Sequence, residues 1–385
     1  MKRLLLILDI DLHVIAAKGE VVKRYYNPCN YFDEIMILSL QNETYPQAIY
    51  TLIGDCKLTY AFVGKPSFLK TLGYRDNLIT SWLEKGLHHA EKFSPDVIRI
   101  YSNGLNGIMG LYLKRKLNLP LICSTHDVED RCYEQTIKCN PIYTEIGLKV
   151  RMMDFVTRHR KQAVLKAVDT NIVVYESVAD YVHRMQGKNI QIIYNNVSED
   201  IPVKTSYSLK EKPKILNIGR QTLGIKEPSN IIKAMDHVTA ILDIIGEGDC
   251  HEMLVNLAKN NNDVRFYPFR PNHELIEAFK EYDLLVYRFL NWEIAKTVIE
   301  ALLSGIPVII NRKKDFPVKE FENSDFVYLV DDTPQSWANG INELLSDNEK
   351  REKLGRTGRE YALEFFSPEQ MESKHMHVYD NILST

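Results

Sequence analysis

The stretch Tyr282-Asp-Leu-Leu-Val-Tyr-Arg-Phe-Leu-Asn-Trp-Glu-Ile-Ala-Lys-Thr-Val-Ile-Glu-Ala-Leu-Leu-Ser-Gly-Ile-Pro-Val-Ile-Ile310 reads as strand, loop, helix, turn, strand. Leu284–Tyr287 is a short apolar run suited to a buried parallel strand. From Ala295 to Ser304, Val298, Ile299, Leu302 and Leu303 recur at helical spacing. Gly305 suits a left-handed cap, and Pro307 follows two residues later. Val308–Ile310 opens the next strand. In a parallel sheet the start of such a helix lies at the carboxyl end of the preceding strand, where ligands bind. Its free N–H groups and positive dipole end suit a phosphate. Lys296 and Thr297 fall on that first turn, and Glu300 one turn further along.

Outward from this unit, 385 residues suit two domains of ordinary size. Hydrophobic residues make up 45% and charged residues 26%, a globular balance. A net charge of −3 gives no broad attraction to nucleic acid, so no nucleic-acid partner is expected. The apolar run Leu4–Leu8 is broken by Asp9 and Asp11, which fits a core strand better than a signal peptide. No run reaches membrane-spanning length. Six cysteines without Cys-x-x-Cys spacing read as reduced cytosolic thiols, which points to a cytoplasmic protein.

The first half alternates apolar runs with helical patterns. Strands are expected at Leu4–Ile10, Ile35–Leu40, Ile49–Ile53, Ala61–Val63, Val97–Tyr101, Leu119–Cys123, Asn171–Val174 and Ile190–Tyr194. Helices are expected at Ser81–Phe93, Gly107–Leu117, Ile146–Ala167 and Ser177–Met185. Such alternation implies a parallel sheet covered on both faces. Three loops are chemical candidates: Lys18-Gly19-Glu20 with Arg24 and Asn27-Pro28; Ser102 to Gly107; and Cys123 to Asp127, which carries His126. Asp127 and Glu129 are carboxylates that would serve an inverting reaction or cap the next segment. Asp9-x-Asp11 lies beside the first strand and reads as structural, so no metal ligands are expected. The polar segment from Ile201 to Lys212 reads as a linker.

The second half restarts the pattern. Strand Pro213–Ile218 runs into Gly219-Arg220, and Lys226 precedes a helix with Ile231, Ile232 and Met235. Arg offers a fixed fork to phosphate oxygens and Lys a mobile point charge. Ala240–Ile245 ends in Gly246-Glu247-Gly248, and Val264–Tyr267 ends in Pro268-Phe269-Arg270. Later elements are a strand at Phe326–Val330 and helices at Glu274–Lys280, Ser336–Leu345, Asn348–Phe365 and Phe366–Leu383.

In this order Gly219-Arg220, Lys226, Gly246, Gly248, Lys296, Thr297 and Glu300 resemble the nucleotide-contacting half of retaining glycosyltransferases of the GT-B type, the group 1 and family 4-like enzymes. The resemblance implies an α/β protein with two Rossmann-like domains facing across a cleft. It implies an acceptor-side domain at residues 1–205, joined by the terminal helix 366–385, and a nucleotide-sugar domain at 206–365. It further implies transfer of a sugar from a UDP- or GDP-sugar to a glycan, lipid-linked or small-molecule acceptor. Retention, no metal, no cofactor and a possible peripheral membrane contact go with it.

By this resemblance Gly219, Arg220 and Lys226 clamp the diphosphate, with Gly246 beside them. The amides at Lys296 and Thr297 add to that clamp, and Glu300 takes the ribose. The base lies beside Tyr267 and Phe269, and His126 faces the donor sugar. The family's first acidic residue falls on Trp292 here, with Glu293 one place off, so Glu293 carries the sugar contact only if the loop is shifted. Two other readings keep the fold: a sugar-nucleotide epimerase or hydrolase, and a non-catalytic nucleotide-sugar-binding partner.

Overall fold

A computed structural model describes residues 1–19, 21–66, 79–128, 157–195, 197, 200–224, 226–288, 294–313, 318–322 and 324–384. The described residues fall into two compact units. One comprises 1–128, 157–195 and 369–384, and the other lies between 197 and 368.

The first unit is a seven-stranded parallel sheet in the order β3-β2-β1-β4-β5-β6-β7. Its strands are β1 Arg3–Leu8, β2 Glu34–Ser39, β3 Lys57–Phe62, β4 Val97–Tyr101, β5 Leu121–Thr125, β6 Thr170–Val173 and β7 Ile190–Ile192. Its helices are α1 Leu12–Ala17, α2 Ile49–Ile53, α3 Thr80–Phe93, α4 Leu105–Leu117, the helical residues 157–167 (α5) and α6 Glu176–Arg184. The central strands β1, β4 and β5 are almost wholly buried, which is why they read as continuous apolar runs.

The second unit is a six-stranded parallel sheet in the order β10-β9-β8-β11-β12-β13. Its strands are β8 Lys214–Ile218, β9 Ile241–Ile245, β10 Val264–Tyr267, β11 Leu284–Tyr287, β12 Val308–Asn311 and β13 Tyr328–Val330. Its helices are α7 Ser229–Ala234, α8 His251–Ala258, α9 Asn272–Ala278, α10 Lys296–Ser304, α11 Pro334–Ser346 and α12 Asn348–Phe365. Trp337, Leu254, Ile309 and Leu242 lie in its core. The final helix, α13 Pro368–Leu383, returns to the first unit, where Met371, Val378 and Tyr379 join the core.

Both sheets have the doubly wound order 3-2-1-4-5-6, the first with one more strand. In such sheets the chain reverses its direction of progress between two central strands, and the loops there diverge to leave a crevice. These switch points are β1/β4 and β8/β11.

The structure corrects some expectations. Ile49–Ile53 is a helix, not a strand: Ile49, Leu52 and Ile53 are buried at helical spacing, and a short apolar run is ambiguous between the two periods. The strand nearby is Lys57–Phe62, an edge strand whose half-buried, polar-rich sequence weakens its signal. Helices α1 and α8 went unread. Gly305 does end α10 in the left-handed region, at φ 78°.

The segment read as a linker, residues 201–212, has no regular element but is pinned to the second unit. Lys204 is buried and donates to the Tyr282 carbonyl at 2.8 Å, while its amide reaches Ser304 O at 2.7 Å. The Tyr207 hydroxyl donates to Gly305 O at 2.9 Å, and Arg351 donates to Tyr207 O at 2.6 Å.

Candidate functional site

Most of the expected residues gather at the β8/β11 switch point of the second unit. There the ladder continues beyond the strands. Gly219 N donates to Ile245 O at 3.1 Å, Gln221 N to Glu247 O at 3.0 Å, and Gly246 N to Tyr267 O at 3.1 Å. The loops after β8, β9 and β10 are therefore bound edge to edge. The Gln221 side chain, 1% exposed, reinforces this by donating to Gly246 O at 2.7 Å and meeting His251 Nδ1 at 2.7 Å.

Gly246 has φ 132°, and a Cβ there would lie 2.2 Å from Gly219 O. A Cβ on Gly248 would lie 2.0 Å from Gln221 O. The space these glycines leave is thus filled by the chain's own backbone. The two loops approach closely there, which fixes where Gly219 and Arg220 sit.

Arg220 is exposed; its carbonyl accepts from Thr222 N at 3.0 Å, and no hydrogen bond or ion pair engages its guanidinium among the described residues. Lys226 follows in a small hairpin. Lys226 N donates to Thr222 O at 2.9 Å, Thr222 N to Lys226 O at 3.3 Å, and the turn passes through Gly224. That hairpin spans the interval between the two cations. Gly219, Lys226 and Tyr287 line a shallow pocket of about 10 Å³ with Glu227 and Arg288. It is a surface crevice and not a closed chamber.

Arg288 is the residue the sequence reading missed. Its guanidinium holds Asp332 through Nε at 2.9 Å and the Glu227 carbonyl through Nη1 at 2.8 Å, and also meets the Glu227 carboxylate. Asn230 and Trp337 complete the set around Asp332. Desolvation opposes the Arg288 charge, but Asp332 and Glu227 outweigh it and raise its pKa. Burial likewise opposes the Asp332 charge, and the Arg288 bond overcomes it to lower that pKa. The residue next to Lys226 is thereby tied to the end of β11 and to the start of α11. The only sequence signal was a cation directly after a core strand.

Helix α10 begins at Lys296 with Ala295 as its cap, no side-chain cap bond and no acid in its first turn. The first turn of the helix itself thus adds no acidic side chain to its positive end. Glu300, 4% exposed, accepts from Asn272 Nδ2 at 3.0 and 3.2 Å. Tyr267 ends β10 under the Arg270 guanidinium at 5.2 Å, and Phe269 is 51% exposed. Trp292 and Glu293 lie outside the described residues, as does Glu129.

His126 belongs to the first unit, at the end of β5. Its ring stacks on Tyr101 at 5.7 Å, and Nδ1 meets Asn195 Oδ1 at 3.2 Å, while Asn195 donates to the Tyr175 hydroxyl at 2.6 Å. It lines an inner cavity of about 20 Å³ with Arg99, Ser124, Glu372 and His375, room for one water. Asp127 is exposed. In the candidate loop after α1, Glu20 lies outside the described residues, and Arg24 and Asn27 have structural partners. Arg24 binds Glu372 at 2.8 Å, and Asn27 holds Phe32 through its backbone at 2.9 and 3.1 Å. Asp11 caps α1 and Asp9 pairs with Lys65 at 2.7 Å, as their structural reading requires.

A wider hollow of about 890 Å³ lies elsewhere in the second unit, between β12, β13 and α12, and contains none of the expected site residues. No described helix is long and apolar enough to cross a membrane.

Comparison with known proteins agrees with this geometry. Residues 203–361 match the family model of the glycosyl transferases group 1, and residues 44–200 that of glycosyltransferase family 4. The sulfoquinovosyl transferase of Arabidopsis thaliana is 24% identical over 281 residues, 70% of this chain and 53% of that protein. The D-inositol 3-phosphate glycosyltransferase of Corynebacterium glutamicum is 29% identical over 102 residues, 26% of this chain and 24% of that protein. The alignments thus span about half of the first relative and a quarter of the second. An uncharacterized glycosyltransferase of Methanocaldococcus jannaschii is 23% identical over 74% of this chain and 75% of its own.

Among solved structures, sucrose-phosphate synthase from Thermosynechococcus elongatus superposes with a TM-score of 0.71 at 16% identity, covering 100% of both chains. The Anabaena HepE protein in complex with UDP-glucose gives 0.68 at 13% identity, covering 99% of this chain and 100% of its own. Two doubly wound parallel units, each matched by its own family model, make this chain a member of the group 1 and family 4-like glycosyltransferases of GT-B architecture, a family of transferase enzymes.

Proposed function

We propose that the chain transfers a glycosyl group from a nucleoside diphosphate sugar to a hydroxyl acceptor, with retention and without a bound metal. The observation that carries this reading is the convergence, at one switch point, of Arg220, the Lys226 hairpin and the start of α10. Negative charge grows on the departing diphosphate in the transition state, so cations fixed where it grows lower the barrier. Arg220 and Lys226 supply charge that a divalent ion supplies in other designs. Glu300 takes the ribose hydroxyls, and Tyr267 with Phe269 flank the base. Among the described residues, Glu227 is engaged by Arg288 and Glu300 by Asn272, and a reaction driven by the leaving group does not call for a free carboxylate. The HepE protein, solved with UDP-glucose, supports a nucleotide-sugar donor.

The test is to mutate Arg220 and Glu300 to Ala separately, and to measure donor affinity and turnover. By analogy with single oxyanion-hole donors, Arg220→Ala should cost about 2–4 kcal/mol at the transition state, a fall of roughly 30- to 900-fold in kcat/KM. Unchanged donor affinity and turnover in both variants would remove the assignment. Product analysis with and without acceptor separates transfer from hydrolysis or epimerisation.

A further inference from the structure

The crevice at the β8/β11 switch point has an acid in its wall as well as cations. Gly219, Lys226, Glu227, Tyr287 and Arg288 line it together. Lys226 and Glu227 are adjacent in the chain, so a carboxylate stands beside a cation assigned to the diphosphate. Left bare, that carboxylate would repel a diphosphate, and such repulsion is poorly screened where walls exclude water. Arg288 counters it. Its guanidinium meets the Glu227 carboxylate, and Nη1 also donates to the Glu227 carbonyl at 2.8 Å. The rest of the fork holds Asp332, through Nε at 2.9 Å and Nη2 at 2.8 Å.

The two carboxylates differ in their other partners. Asp332 also accepts from Asn230 Nδ2 at 3.1 Å and from Trp337 Nε1 at 3.2 Å. Glu227 also accepts from Ser229 N at 3.2 Å, at the start of its own helix. Loss of Arg288 would thus uncover charge chiefly at Glu227, next to Lys226. It would also release the chain just after the hairpin. Lys226 is paired to Thr222 through both its N–H and its carbonyl, and the Arg288 bond to the Glu227 carbonyl fixes the following peptide.

We propose that Arg288 is a positioning residue for the diphosphate: by holding the Glu227 carbonyl and offsetting the Glu227 carboxylate, it lets the crevice wall beside Lys226 accept an anion. The proposal rests on the reading of Lys226 as a diphosphate contact. Arg288 acts through Glu227, because its fork is taken up by the two carboxylates and the carbonyl.

The experiment compares wild type, Lys226→Ala, Glu227→Gln, Arg288→Gln and the double variant Arg288→Gln/Glu227→Gln by calorimetric titration with UDP and with GDP. Arg288→Gln should weaken binding of the diphosphate that wild type takes by about tenfold or more, the scale of one unit charge uncovered close to the ligand. Adding Glu227→Gln should recover most of that loss, since it removes the uncovered charge at nearly constant volume. A merely structural Arg288 would leave the double variant as weak as the single one, and that result would overturn the proposal. So would unchanged affinity in Arg288→Gln. Glu227→Gln alone should bind at least as tightly as wild type, and this variant reports even if Arg288→Gln fails to fold; weaker binding there would make the carboxylate a contact and sink the idea. If Lys226→Ala weakens binding while the Arg288 and Glu227 variants depart from these outcomes, the reading of the site stands and only the role of Arg288 falls. If Lys226→Ala changes nothing, or wild type binds neither nucleotide, the reading of the site fails and takes this inference with it.

Discussion

His375 makes the first unit acid-sensitive, and its geometry states why. Arg99 is 2% exposed and donates through Nη2 to His375 Nε2 at 2.9 Å, through Nη1 to the Tyr379 hydroxyl at 2.6 Å and through Nε to Ser124 Oγ at 3.0 Å. His375 Nδ1 meets Met371 O at 2.8 Å. A guanidinium only donates, so Nε2 must hold its lone pair and Nδ1 its proton. The imidazole is neutral in the fold, and a second proton would set an N–H against a buried cation. Desolvation first and the Arg99 charge second lower the His375 pKa to about 3, against 6.5 for the free side chain.

The unfolded chain therefore binds a proton in this window that the folded chain refuses. Stability is full above the unfolded pKa and is lost as pH falls from about 6.5 toward 3. Between pH 6.5 and 4.5, two units at 1.36 kcal/mol each give about 2.7 kcal/mol. His375 is only half-buried as a residue, so roughly 1.5–2.5 kcal/mol is the expected size. The assay is hydrogen exchange of the β4 amides, read as opening free energy at pH 7 and pH 4.5, in wild type and His375→Gln. The variant should lose less stability over this interval by that amount. Equal losses in the two proteins, or a greater loss in the variant, would refute the reasoning.

Other outcomes follow from the second unit. Gly246→Ala puts a Cβ 2.2 Å from Gly219 O at φ 132°, and should destabilise the unit by about 3 kcal/mol or more, measured by urea unfolding. Arg288→Met strands Asp332 and Glu227 without their cation, at a cost of about 2–4 kcal/mol. That penalty should shrink in acid as Asp332 protonates, because its native pKa is depressed and its stabilisation fades as pH falls through it. Turnover in excess EDTA should equal turnover in its absence, and metal-dependent loss would count against a diphosphate clamp built from side-chain cations alone.

Much of the second unit was legible. The strands β8 to β12 and the helices α10 to α12 carry strong apolar periods, and their boundaries fell within about two residues of expectation. The misreadings share a cause. Ile49–Ile53 is too short for period 2 and period 3.6 to differ, and β3 at an edge lacks a continuous apolar run. Helix α8 escaped because it exposes Met253, Val255 and Leu257, which blurs its buried stripe.

The order of cations, glycines and acid along the chain was a property of the sequence. Each sits beside a strand end or helix start, and these are set by local period and turn chemistry. What each residue touches was settled only by tertiary packing. The space beside Gly246 and Gly248 is filled by the neighbouring loop, and the segment read as a linker is clasped by Tyr282, Ser304 and Arg351. Arg288 with Asp332, and Asn272 with Glu300, join residues 44 and 28 positions apart. Hydrogen bonds over such separations leave no period in the sequence, because they depend on which strand ends the sheet order makes neighbours.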